Sequence, residues 1–137
     1  MTRSNNVLAL DIGEVRVGVA VADRKIGIAV PIDTMVMNED AFRHDVAELV
    51  VQHSAGTIVV GYPRNQGGDT TQQTAYVESM ASQLSDLDAE VVFQDESLTS
   101  VTAKERLGVS NIRINQKGMI DAEAAAIILQ DYLELYR

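Results

Sequence analysis

VLALDIGEVRVGVAVADRKIGIAVPIDTM, residues 7–35, holds three runs rich in Val, Ile and Ala, broken at Gly13 and at residues 23–25. Short β-branched runs bounded by turn residues form strands. Breaks of only a few residues leave no room for a crossover, so the spacing predicts three consecutive antiparallel strands at 7–12, 15–23 and 26–35. Working outward, Phe42, Val46, Leu49, Val50 and His53 recur at helical spacing, with Asn38 as an N-cap and Gly56 as the stop. TIVVGYP, residues 57–63, is continuously apolar, as a strand buried on both faces should be, and Pro63 ends it.

The loop 64–74 leads to a second helix with Val77, Met80, Ala81, Leu84 and Leu87 on one stripe and a cap at Asp69 or Thr70. EVVFQ, residues 90–94, gives a fifth strand. A short helix over about 99–107, a polar loop and a last helix opening near Asp121 and running to Tyr136 complete the chain. The order β-β-β-α-β-α-β-α-α predicts one α/β domain over residues 1–137, a mixed five-stranded sheet with helices on both faces.

A chain of 137 residues, 46% hydrophobic and 23% charged, suits one compact domain. Without cysteine, disulfides, thiolate nucleophiles and zinc-thiolate sites are excluded. The polar start MTRSNN lacks the apolar core of a signal peptide, and no apolar run is of membrane-spanning length, so a cytoplasmic protein is expected. A net charge of −9 argues against wrapping nucleic acid with a generally basic surface. The charge is uneven. Residues 33–95 carry eleven acids against Arg43 and Arg64, whereas residues 100–120 set Lys104, Arg106, Arg113 and Lys117 against Glu105 alone. A nucleic-acid site should lie near that second stretch.

Three acidic positions fall where a strand ends or a helix begins: Asp11, Glu96 and Asp121. Hard divalent cations prefer such oxygen donors, so a cluster of the three would hold Mg²⁺ or Mn²⁺. Each also has an ordinary reading. Asp11 precedes a Gly turn whose N–H groups it could accept from, Glu96 or its neighbour Asp95 could be a solvated strand end, and Asp121 could cap a helix. Adjacent carboxylates in an extended chain point to opposite sides, so only one of Asp95 and Glu96 can join a cluster, and Glu96 is favoured. The small residues after Asp121 would let its helix lie close to the sheet. Residues 61–71 carry the glycine pair Gly67–Gly68 and Arg64 ahead of a helix, an arrangement suited to an anion but lacking the Lys-Ser/Thr ending of a P-loop.

Together, LALDIGEVRVGVAVAD, TIVVGYPRNQGG, FQDESLTS and IDAEAAAIILQDYL resemble the YqgF family, also called RuvX, the Holliday junction resolvase-like nucleases of the ribonuclease H fold. The resemblance spans nearly the whole chain in the right order. It implies that Asp11, Glu96 and Asp121 are catalytic metal ligands and that the activity is processing of the precursor of 16S ribosomal RNA, with Holliday junction cleavage as the older assignment. Ser97 stands where the family usually has Arg, and Glu14 and Val15 replace a small polar residue and a Lys or Arg, although Arg16 remains.

The expected function is therefore a metal-dependent endonuclease using two Mg²⁺ or Mn²⁺ ions on Asp11, Glu96 and Asp121. Arg16, Arg64, Lys104 and Lys117 are the expected phosphate contacts. RNA is favoured as substrate, with branched DNA next, and the protein is expected to be a monomer or weak homodimer. Two other classes compete. An actin- or hexokinase-type nucleotide-binding domain opens with a similar Asp-x-Gly turn but needs two such domains. A non-catalytic module binding nucleic acid or a ribosomal partner would suit the acidic middle segment and Ser97.

Overall fold

The computed structural model describes residues 4–95 and 117–136, and at 117–119 the backbone only. Among the described residues the order is β1 (Asn6–Ile12), β2 (Arg16–Asp23), β3 (Val30–Val36), α1 (Phe42–His53), β4 (Ala55–Tyr62), α2 (Gln72–Ser82), β5 (Glu90–Asp95) and α3 (Lys117–Leu135). The strands form one mixed sheet in the order β3-β2-β1-β4-β5. The β1–β2–β3 meander is antiparallel, and β1–β4 and β4–β5 are parallel, as the crossover connections through α1 and α2 require. This is the predicted α/β architecture.

Strand alternation explains the two-sided core. Leu8, Leu10, Ile12, Val17, Val19, Ile58 and Val60 pack under Phe42, Val46 and Val50 of α1 and Val77, Met80 and Ala81 of α2. The intervening positions Val7, Ala9, Ala20, Ala22 and Val59 pack against Ala125, Ala126, Ile128, Leu129, Tyr132 and Leu133 of α3. Helices thus cover both faces, and the central strands β1, β2 and β4 read as near-continuous apolar runs because neither face meets water.

Several boundaries differ from the sequence expectation. β3 begins at Val30, not Ile26, because Ile26 and Gly27 donate to the Asp23 carbonyl and Gly27 takes φ 76°, closing a turn. α1 stops at Ser54 rather than Gly56: Ser54 adopts the left-handed conformation, its N–H returning to Val50 and Val51, and Gly56 lies inside β4. Asn38 shapes the turn before α1, its side chain accepting from the Asp40 N–H, and is not the cap of the helix. The cap of α2 is Thr71, in a reciprocal box with Thr74, instead of Asp69 or Thr70. The helix expected over 99–107 lies outside the described residues.

Candidate active site at the carboxyl end of β1

Asp11 is the penultimate residue of β1 and is half-buried. It shares parity with Val7 and Ala9, so its side chain belongs to the face that α3 covers. Its partner across the antiparallel ladder is Gly18 of β2. A Cβ on Gly18 would overlap the carbonyl carbon and oxygen of Asp121 and lie 3.0 Å from the Ala122 nitrogen. Glycine is therefore required where the first turns of α3 rest on β2. The contact sets the Asp121 backbone against the residue paired with Asp11, about 5 Å away by ladder spacing. Ala122, Ala124, Ala125 and Ala126 are buried, and their small side chains permit the same close approach.

α3 starts at Lys117, four residues ahead of Asp121, so Asp121 is inside the helix and is not its N-cap. Its carboxylate has a different partner. Arg16 Nε, at the first residue of β2, donates to Asp121 Oδ2 at 2.5 Å, with side chains 39% and 25% exposed. Arg16, expected as a phosphate contact, is thus held on one of the candidate ligands.

Glu96 and Lys104 lie outside the described residues, as does the side chain of Lys117, whose backbone opens α3. Asp95 is resolved from the candidate cluster by its parity: it shares a face with Val91 on the α1 and α2 side, and it pairs with Arg64 at 2.9 Å. Among the described residues no group of three or more His, Asp or Glu side chains gathers in a cation-binding arrangement. Asp11 and Asp121 supply two hard oxygen donors at one end of the sheet, a donor type that fits Mg²⁺ or Mn²⁺.

Arg64 follows Pro63 at the end of β4. Beyond Asp95, it donates to the Gly68 carbonyl and its guanidinium lies 4.8 Å from the centroid of the Tyr62 ring. The ion pair with Asp95 raises its pKa above the ordinary Arg value. The glycine loop is closed on itself: Gly68 N–H donates to Asn65 O, Asp69 N–H to Asn65 Oδ1, and the Thr74 N–H at the start of α2 to Thr71 Oγ1. Those donors are spent within the loop and cap, which leaves less for an anion than the sequence suggested.

Sequence reading missed the tie between Arg16 and Asp121, because nothing in local spacing relates residues at opposite ends of the chain. Gly18 was a legible signal. A glycine interrupting VRVGVAVAD marks close approach of another backbone, and the approaching backbone is that of Asp121.

The RuvX family profile, described as Holliday junction resolvase, matches residues 5–135. A Chloroflexus aurantiacus protein named "Putative pre-16S rRNA nuclease" is 39% identical over 137 aligned residues, spanning 96% of this chain and 88% of its own. A Trichormus variabilis protein of the same name is 37% identical over 142, spanning 100% and 93%. Among solved structures, Thermus thermophilus RuvC in complex with a Holliday junction substrate superposes with a TM-score of 0.62 at 13% identity, over 95% of this chain and 94% of that one. At that identity the likeness is one of fold, and the fold is ribonuclease H-like. A profile match across nearly the whole chain, with relatives above one-third identity from end to end, makes this protein a member of the RuvX family.

Proposed function

We propose that this protein is a metal-dependent nuclease that hydrolyses phosphodiesters in the precursor of 16S ribosomal RNA. The observation that carries the reading is the packing of the Asp121 backbone on Gly18, the ladder partner of Asp11, which gathers two carboxylate-bearing segments from opposite ends of the chain at one end of the sheet. Names of full-length relatives at 37–39% identity point the same way. Asp11, Asp121 and Glu96 are the ligands we assign to Mg²⁺ or Mn²⁺, which when bound supplies Lewis acidity at the phosphate and a more acidic attacking water.

The protein's own residues have separate roles in this reading. Arg16 neutralises Asp121 and fixes its rotamer, so that the carboxylate is oriented before substrate arrives. Arg64 braces the ends of β4 and β5 through Asp95 and Gly68. Lys104 and Lys117 remain the basic residues assigned to backbone phosphates.

A second reading, cleavage of branched DNA, is favoured by the family description and the RuvC-like fold. Labelled single-stranded RNA bearing the precursor cleavage region and a four-way DNA junction, each incubated with Mg²⁺, Mn²⁺ or EDTA, separate the two. Metal-dependent cutting of the RNA, lost in Asp11→Asn and Asp121→Asn, is expected. Cutting confined to the junction would transfer the assignment to the second reading, and undiminished cutting by a folded Asp11→Asn variant would remove Asp11 from it.

A further inference from the structure

The chain is poor in aromatic residues: two Phe, four Tyr and no Trp. Phe42 is buried under the sheet, yet Tyr62, Phe93 and Tyr136, half of the total, line one cleft of about 470 Å³ along the edge strand β5. Tyr62 and Phe93 are diagonal neighbours across the β4–β5 ladder, on the face opposite Asp11, and meet edge to face with ring centroids 5.2 Å apart at 67°. Arg64 covers Tyr62. Phe93 stays 46% exposed. The concentration of three aromatic side chains in one cleft beside an edge strand, rather than the exposure of any one of them, gives this surface a shape and chemistry suited to a flat aromatic occupant.

The register fixes where this cleft lies. Val60 pairs with Leu10 of β1 and with Phe93 of β5, so Phe93 is level with the residue before Asp11 and two strand spacings away, about 10 Å. A single strand running across this end of the sheet would cover that distance, and the turn to the opposite face around β5, the outer strand among the described residues, in a few nucleotides. Charge favours a base over a phosphate as the group held. Glu78 and Asp95 also line the cleft, and Arg64 is already committed to Asp95. A protein of net charge −9 gains little from general phosphate neutralisation, whereas stacking is indifferent to charge.

We propose that Phe93, braced by Tyr62 and Arg64, is a stacking platform for an unpaired base of a single-stranded nucleic acid whose backbone passes the Asp11–Asp121 end of the sheet. This rests on the nuclease reading, and it specifies the substrate as unpaired at that position. Fluorescein-labelled 12-nucleotide RNA, as a single strand and as a duplex, would be titrated with wild type, Phe93→Ala, Phe93→Leu and Phe93→Trp in EDTA, following anisotropy, with cleavage assayed in parallel in Mn²⁺. Phe93→Ala and Phe93→Leu are expected to weaken single-strand binding by about 5- to 100-fold, and Phe93→Trp to restore it. Duplex binding and the salt dependence of single-strand binding should be unchanged, because no phosphate contact is lost. Wild-type affinity in both Phe93→Ala and Phe93→Leu, or equal losses for duplex and single strand, would overturn the platform. If the wild type cleaves while Phe93→Ala binds normally, the platform alone fails. If single strands bind through Phe93 and no metal yields cleavage, the platform stands and the nuclease reading fails.

Discussion

The guanidinium of Arg16 at the start of β2 is bonded to the carboxylate of Asp121, so one candidate metal ligand already has a cation. A divalent ion on Asp121 must compete with that guanidinium or share the carboxylate with it. A partly exposed ion pair contributes about 0.5–1 kcal/mol. Arg16→Gln should therefore tighten Mn²⁺ binding by roughly 2- to 5-fold, measured by calorimetric titration, since 1.4 kcal/mol is a factor of ten. Cleavage should nevertheless slow, because Asp121 loses the contact that orients it. Weaker Mn²⁺ binding in the variant would mean that Arg16 supports the ion and does not compete with it.

Gly18→Ala should be among the most damaging small substitutions in this protein. The added methyl overlaps backbone atoms of Asp121, which cannot rotate away as a side chain could. Overpacking of this kind costs about 1–3 kcal/mol, and here relief requires lifting the first turns of α3 from the sheet. The urea midpoint should fall accordingly, and nuclease activity at temperatures where the variant is folded should drop by more than its stability accounts for. An unchanged midpoint would show that α3 shifts without cost.

Strands β1, β2 and β4 were legible because both of their faces are buried, so apolar continuity alone marks them, whereas the largely exposed β3 was marked by its Val and Ile content and the turn before it. Boundaries were less so. Ser54 takes the left-handed conformation two residues before the glycine that could have taken it without strain, a choice made by the register of β4 against β1. Gly118 in the sequence reads as part of the polar loop before a helix opening near Asp121, yet it lies within the first turn of α3, a helix that packs on β2 and β3 along its length, and that packing outweighs propensity. Asp11 and Asp121 were legible as candidates from residue type and position, while the geometry relating them depends on Gly18 and Arg16 and is purely tertiary.

Thr74 links the end of β4 to α2. Its hydroxyl, fully buried, donates to the Pro63 carbonyl and accepts from the Thr71 N–H. Thr74→Val keeps the shape and leaves both partners unsatisfied, which should cost about 1–3 kcal/mol. Because Arg64 follows Pro63 directly, the loop that presents it should also loosen. Chemical denaturation together with amide exchange at residues 64–71 checks both effects. A stability loss without faster loop exchange would confine Thr74 to capping.

Tyr76 on α2 donates its hydroxyl to Glu39 Oε2 at 2.9 Å. Burial first, and then the Glu39 carboxylate, push its pKa up from 10.0 to about 12. The folded value exceeds the unfolded one, so the fold favours the neutral phenol. The associated stability is fully present below pH 10 and is lost as pH rises toward 12. Absorbance at the phenolate band, recorded for wild type and Tyr76→Phe, should give a difference that titrates near pH 12, and Glu39→Gln should lower that midpoint by removing the acceptor charge. A difference titrating at the ordinary phenol value would mean that Tyr76 is open to water and that the bond tying α2 to the turn before α1 does not persist in solution.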